Sequence, residues 1–395
     1  MNNNNENAAN RRKPGDTHKR VSVFAALIFF GFIILADLVL LFDHSRVISD
    51  NENRVLAQAP ELSLQKLSSG KFMTQFEDFV SDQFMARDGW ISAKLKMDKM
   101  SGKKESNGVY LGSRGYLFEA AQAPDTELVA GSMNAVNSFA ARHSGIKVVM
   151  SIIPNAVSVI NEFFPHGAPS RDQLADINAA VSQLAGGAAF VDVYDVLRSH
   201  AGEQLYYKGD HHWTSLGAKY AFEVIAPALG VNDIVRNWNV MAVTDDFSGT
   251  MSSASGSFNT VDTIEIYTPE QEMDYYVEYS GDPVKYSSIY NSSALDSKNK
   301  YEVFLGGNHP RISITTLNNT GKNLMVIKDS YANCFIQFLL PFFDKIVIVD
   351  PRYYSDDLEV DIAANEINEV LLLYNANTFF QDSSLAGVLN PENLS

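Results

Sequence analysis

An aspartate, two histidines and a tryptophan stand in a row at Asp210-His211-His212-Trp213, and far downstream Ser330 follows a hydrophobic run that gives way to a helical pattern. Together they supply a carboxylate, an imidazole and a hydroxyl, the three parts of a nucleophilic acyl-transfer site. In an extended segment residues i and i+2 point to the same side. Asp210 can therefore orient His212 or stabilise its cation while His212 removes the serine proton. A neutral imidazole with a pKa near ~6.5 is an effective base around neutral pH. Trp213 is placed to fix that ring or shield it from water, and Thr214-Ser215 offers an N-cap for the next helix.

In NLMVIKDSYANCF the apolar run ends at Ile327, Lys328-Asp329 makes a turn, and Ser330 opens the next element. First-turn N–H groups lack helical partners and can stabilise an oxyanion, although a serine there is equally a simple helix cap. Ser330 and Tyr331 N–H are the first oxyanion donors to consider. Asn308, Asn375 and Asn377 follow, each also explicable as a turn residue. Arg352 suits a carboxylate or phosphate, or an ion pair with an acidic neighbour. Asp-His-His also suggests a metal site, with His309 the only obvious third ligand in this half, or else a purely structural turn. No HExxH and no second His/Asp cluster is present, so the expectation is no metal and no cofactor. Cys334 lies four residues after Ser330 on the same helical face and reads as a small buried residue rather than a second nucleophile. Tyr206, Tyr207 and Trp213 could stack on sugar rings or fill core. The absence of GxSxG, P-loop and dinucleotide fingerprints counts against an α/β-hydrolase, an NTPase and a Rossmann enzyme.

The elements that must position these groups alternate. Short β-branched runs at 147–154, 188–196, 323–327, 345–349 and 369–374 suit strands buried on both faces. Amphipathic helices are expected at 126–143, 172–184, 215–229 and 332–343. This predicts an α/β fold with a mostly parallel sheet flanked by helices, its site at the carboxyl ends of the strands. Residues 240–320, rich in Ser, Thr, Tyr, Asn and Gly, interrupt the alternation as an irregular or β-rich insertion that could wall the site.

The chain has 395 residues, 46% hydrophobic and 20% charged, a globular composition. Its formal net charge of -16 excludes a basic footprint for nucleic acid; a neutral or basic glycan or a lipid-linked substrate is easier to accommodate. One cysteine permits no internal disulfide. Residues 21–42 form an apolar run long enough to cross roughly 30 Å of hydrocarbon, with Asp37 its one charge. Arg11, Arg12, Lys13, Lys19 and Arg20 precede it and acidic Asp43 follows, so the positive-inside bias places the N-terminus in the cytoplasm and the bulk outside. The run exceeds a usual signal-peptide core and lacks a clear cleavage site. The expected organisation is a disordered tail (1–20), a transmembrane anchor (21–42), a helical stalk (43–106) and a catalytic domain (107–395). In the stalk Phe72, Phe76, Phe79 and Val80 recur at helix spacing within 68–100.

The blocks Asn107-Gly-Val-Tyr-Leu-Gly, Gly209-Asp-His-His-Trp-Thr, Phe247-Ser-Gly-Thr, Lys328-Asp-Ser-Tyr-Ala-Asn and Asp350-Pro-Arg-Tyr-Tyr resemble those of the DHHW family of bacterial envelope proteins. More distantly, the chain looks like the SGNH-type acetyltransferase domains of alginate O-acetylation proteins, in which an Asp-x-His-Trp motif precedes the nucleophilic serine. Asp210, His212 and Trp213 match that motif and Ser330 matches the serine, which makes His212 the base and His211 a packing neighbour. Lys328 stands where the usual Gly-Asp-Ser block has glycine. The resemblance implies an SGNH-like, flavodoxin-like sheet. It also implies an O-acetyltransferase or acetylesterase acting on an envelope polysaccharide beside a membrane-bound O-acyltransferase that delivers acetyl groups. A non-catalytic glycan-binding or assembly protein on the same fold, and a metallohydrolase, are the competing readings.

Overall fold

The computed structural model describes residues 14–42, 44–52, 54–234 and 237–390. It falls into two compact units, Met1–Ala93 and Lys94–Ser395. In the first, helix α1 (Pro14–Phe42) contains the apolar span Lys19–Leu40, long and apolar enough to cross a membrane. Of the expected tail, residues 1–13 lie outside the described residues and the remainder is already helical. The stretch with helix spacing within 68–100 forms two helices, α2 (Lys71–Gln83) and α3 (Arg87–Met100). They part at Phe84-Met85-Ala86, where Ala86 adopts a left-handed φ of 51° that no helix accommodates. Buried Asp82 anchors this unit by accepting from the Arg54 guanidinium and from the Ala57 N–H at 2.8 Å.

The second unit is built on β1 (Lys147–Ile153), β2 (Ala188–Phe190), β3 (Tyr275–Tyr279), β4 (Lys285–Tyr286), β5 (Arg311–Thr316), β6 (Asn323–Lys328), β7 (Lys345–Val349) and β8 (Glu369–Asn375). Among the described residues these make one eight-stranded sheet in the order β4-β3-β5-β7-β6-β8-β1-β2. From β7 to β2 every pair is parallel; β5, β3 and β4 extend one edge antiparallel. Alternate residues of the central strands enter opposite cores, as a pleated strand buried on both faces requires. Leu324, Val326, Ile346, Ile348, Leu371 and Leu373 face one core, in which α6 (Ser215–Ile225) is embedded. Met325, Ile327, Val347, Val349, Val370 and Leu372 face the other, with α4 (Thr126–Arg142), α5 (Gln173–Val181), α7 (Leu358–Ala364) and α8 (Ala376–Gln381).

Three expectations are corrected. The helix over 332–343 is a run of short 3-10 turns, Ser330–Cys334, Ile336–Phe338 and Leu340–Phe342. Residues 331–340 are buried all round, so no amphipathic face exists, and Pro341 interrupts helical bonding. The strand over 188–196 stops at Phe190, because Asp192 accepts from Tyr194 N–H at 2.8 Å and turns the chain into a helix, Tyr194–Ser199. The helix over 215–229 ends at Ile225 and continues as a 3-10 turn, Ala226–Leu229, carrying Pro227. Within 240–320, Trp238–Phe247 pairs with Asp262–Pro269 as a bulged antiparallel ribbon, whereas β3 and β4 join the central sheet.

The chain passes from β6 to β7 on one side and then to β8 on the other side of β6. Strand order therefore reverses around β6, and in open α/β sheets the ligand site lies beyond the carboxyl end of the strands at such a point. Ser330 lies there.

Candidate active site

The Asp-His-His-Trp segment is a loop closed on itself. Tyr206 and Trp213 form an antiparallel bridge, and Tyr207 N–H donates to His212 O at 3.2 Å. Asp262 pins the loop from below. Its Oδ1 accepts from Lys208 N–H at 2.9 Å and its Oδ2 from Gly209 N–H at 2.8 Å. Burial pushes the Asp262 carboxyl up, and those two amides oppose the shift. Asp210 Oδ2 accepts from Thr250 N–H at 2.9 Å and Thr250 Oγ1 at 3.1 Å. Gly249 is required for that approach, since a Cβ there would lie 2.3 Å from Asp210 Cβ. This gives the Phe247-Ser-Gly-Thr block its physical sense.

The serine turn is held from the sheet. Asp329 is fully buried between two strand ends, where Oδ1 accepts from Tyr331 N–H and Oδ2 from Asn375 N–H, both at 3.0 Å. Burial raises its carboxyl, against the two amides. Trp213 Nε1–H donates to Tyr331 O at 2.8 Å, and the Tyr331 hydroxyl donates to His211 O. Loop and turn are thus tied in both directions.

Those ties bring the three groups into one chain of hydrogen bonds. Asp210 Oδ1 lies 2.6 Å from His212 Nδ1, and His212 Nε2 lies 2.9 Å from Ser330 Oγ. Asp210 and His212 are buried at 3% and 6% exposure; Ser330 is partly exposed. The Nδ1–H tautomer fits, because Asp210 Oδ1 also takes the His212 backbone N–H at 3.0 Å and offers only lone pairs. Burial works against ionising Asp210, but the imidazoles of His211 and His212 outweigh it and hold the carboxyl well below its usual range. Burial and the charge of His211 depress His212 to about 4, while Asp210 pulls the other way and Lys328 adds a smaller depression. The imidazole is therefore neutral at physiological pH, as a general base must be. Tyr301 stacks on it, ring centroids 3.9 Å apart and 13° between planes, and its hydroxyl donates to Ser330 O at 3.2 Å. Neither Tyr301 nor Asp262 belongs to a block that points to chemistry. Both come from the irregular 240–320 region, and only the three-dimensional contact reveals them.

The other expected residues separate. Tyr331 N–H is spent on Asp329, which removes it as an oxyanion donor. Asn375 caps α8 through Asn377 N–H and Thr378 N–H. Asn377 donates to Ala120 O and accepts from Gln122 N–H and Gln173, so its amide is structural. Arg352 grips Asp350 with two N–H groups at 2.8 and 2.6 Å. Trp213, Tyr206 and Tyr207 are fully buried and present no face to a sugar. Asn308 alone keeps an exposed amide. Its Oδ1 accepts from Lys328 Nζ at 3.0 Å and from Asn333 Nδ2, on the serine turn, at 3.2 Å, which leaves its N–H donors free. Ser330 N–H donates to no protein group among the described residues.

Lys328 has no solvent exposure and sits 3.3 Å from Asp350. Burial drives its ammonium down, while Asp350 opposes that shift. Cys334 is buried, which raises its thiol to about 12 and makes it a packing group. His211 bonds Thr250 Oγ1 at 2.8 Å. Asp210, His211 and His212 offer ligand atoms within 4.8 Å of one another and could hold a metal ion. Binding there would take one ring nitrogen of His212 and so break its hydrogen bond either to Asp210 or to Ser330.

The fold is shared with solved structures. A DHHW family protein from Eubacterium siraeum aligns with a TM-score of 0.62 and 24% identity, covering 72% of this chain and 95% of that one. PatB1 of Bacillus cereus with a sulfonyl adduct aligns with a TM-score of 0.57 and 18% identity over 70% of this chain and 97% of that one. The O-acetyltransferase domain of AlgJ from Pseudomonas putida aligns with a TM-score of 0.47 and 14% identity over 72% and 99%. At these identities the likeness concerns the fold. No curated protein sequence matches the chain. The family model described as DHHW protein matches residues 125–349, more than half of the sequence and the whole stretch from α4 to β7, with both halves of the site inside it. The chain belongs to the DHHW family.

Proposed function

We propose that this protein is a membrane-anchored, extracytoplasmic serine enzyme that moves acetyl groups on a cell-envelope polysaccharide, with Asp210, His212 and Ser330 as its triad. The observation that carries the reading is the unbroken hydrogen-bond chain from Asp210 through His212 to Ser330. In the reaction, His212 Nε2 takes the Ser330 proton as Oγ attacks the acetyl carbonyl. The tetrahedral oxyanion collapses as His212 returns the proton to the departing donor oxygen, leaving acetyl-Ser330. A sugar hydroxyl, deprotonated by His212, then attacks this ester and carries the acetyl group away; the proton returns to Ser330. Water in that role would give esterase activity. Ser330 N–H and the Asn308 amide are the donors left to meet the oxyanion.

The resemblance to alginate O-acetylation proteins favours transfer over hydrolysis. A span such as Lys19–Leu40, preceded by basic residues, fits an anchor with the N-terminus inside and the catalytic domain outside, beside a membrane-bound O-acyltransferase that supplies acetyl groups. The test is acetyl release from a chromogenic ester by the protein and its Ser330→Ala variant, with sulfonyl-electrophile labelling, since the structure of PatB1 carries a sulfonyl adduct. Activity and label should both vanish with Ser330. A folded protein that shows neither would support a glycan-binding role instead.

A further inference from the structure

The turn between α2 and α3 runs against the ordinary chemistry of turns. Exposed turns favour Gly, Pro, Asn, Asp and Ser. Here the residues are Phe84-Met85-Ala86, and Ala86 takes the left-handed φ of 51° that suits glycine or asparagine. The two polar residues that flank it, Gln83 and Arg87, are bonded inside the same unit. Gln83 Nε2 donates to Arg46 O at 2.8 Å and Ala57 O at 3.1 Å, and Arg87 donates to Ser81 O at 3.1 Å and pairs with Glu52. An apolar tip whose flanking side chains are already bonded loses little when lipid replaces water around it.

The position of the tip along α1 gives the occupant. The Phe84 ring lies 6.2 Å from that of Phe32, and Trp90, 52% exposed, stands edge-on to Phe32 at 6.1 Å. Phe32 is inside the apolar span Lys19–Leu40. At 1.5 Å per residue, a span entering the hydrocarbon at Arg20 has Phe32 about 18 Å into a layer of roughly 30 Å, with the outer boundary near Leu40. Phe84 and Trp90 therefore meet α1 at the depth of the outer leaflet.

We propose that the Phe84–Ala86 turn and Trp90 form a lipid-facing seat that dips into the outer leaflet beside α1, so that this unit grips the bilayer at two places. The proposal rests on α1 being a membrane span. Its occupant is lipid acyl chain, not a protein.

The experiment uses the full chain in liposomes of phosphatidylethanolamine and phosphatidylglycerol. Cys334 is buried, so single cysteines can be placed at exposed positions with little background. Ala86→Cys, exposed in the protein, should react with an impermeant maleimide about tenfold or more slowly than Ser69→Cys, since alkylation needs a solvated thiolate. Acyl-chain-brominated lipid should quench tryptophan emission, and Trp90→Phe should remove that quenching. Equal labelling at both positions with unchanged quenching in Trp90→Phe, in protein that still floats with liposomes, would overturn the seat while leaving the anchor intact. Protein that fails to float would overturn the anchor and the seat with it. Protection of Ala86→Cys in native membranes but not in pure lipid would assign the surface to a protein partner and refute the lipid commitment.

Discussion

Replacing Asp210 by asparagine tests the triad at its least forgiving point. The carboxylate receives four hydrogen bonds: His212 Nδ1–H and N–H on Oδ1, Thr250 N–H and hydroxyl on Oδ2. An amide can serve only one of these pairs with its oxygen. With oxygen toward Thr250, the amide N–H₂ faces His212, and Nδ1 must become an acceptor. The proton then moves to Nε2, which meets Ser330 as a donor and can no longer take its proton. With oxygen toward His212, the amide N–H₂ confronts the Thr250 N–H, a buried donor–donor contact of about 1–3 kcal/mol. The first arrangement inverts the tautomer and also sets the amide N–H₂ against the His212 backbone N–H, so neither orientation restores the parent geometry. A wrong-tautomer triad elsewhere loses about 10⁴ in turnover, so Asp210→Asn should reduce kcat/KM for a chromogenic acetyl ester by about 10⁴, or about 5 kcal/mol of transition-state stabilisation. The assay is steady-state ester cleavage on protein whose melting curve shows it folded. Activity within tenfold of the parent would refute the role of Asp210 as orienter.

Four further outcomes follow from the same geometry. Because His212 is depressed to about 4, the acid limb of kcat/KM should lie below the ~6.5 of a free imidazole; His211→Gln removes the neighbouring imidazole that helps depress it and should move that limb upward, and a pH–rate profile that stays put or moves down would contradict it. The same depression means the unfolded chain binds the proton more readily, so the stability that neutral His212 contributes is present above about 6.5 and lost as pH falls toward 4, which urea titrations at several pH values can follow. Gly249→Ala forces a methyl against Asp210 and should cost about 1–3 kcal/mol of stability and lower ester cleavage at temperatures where the melting curve shows the protein folded. Chelator treatment should leave turnover unchanged; loss of activity restored by zinc would instead favour Asp210, His211 and His212 as metal ligands.

The parts of the site that lie on one stretch of chain are legible in the sequence. Asp210 and His212 announce themselves by spacing, and Ser330 by its place after a buried strand. The alternating cores were equally readable from β1, β6, β7 and β8, whose β-branched runs suit a doubly covered sheet. What escaped reading depends on distant partners. Tyr301 has no local signature and gains its role by stacking on an imidazole far away in the chain. Asp262 is one acid among many until its two oxygens meet the Lys208 and Gly209 amides. The segment after Ser330 looks helical by composition, yet burial on every side removes the amphipathic preference that periodicity detects. Lys328 breaks the rule that buried positions are apolar, and only Asp350 and Asn308 explain it.

The cross-ties of Trp213 and Tyr331 make reactivity a property of the finished fold. Ser330 and His212 are separated by 118 residues, and the two ties span 118 and 120. Closing a loop of that size opposes the contact by about 4 kcal/mol of chain entropy, which only a completed sheet and its cores can offset. Until then Ser330 is an ordinary alcohol. Under the proposed function, a chain still being threaded across a membrane is chemically silent, and its first acyl-serine marks the moment at which the last long-range contact has locked.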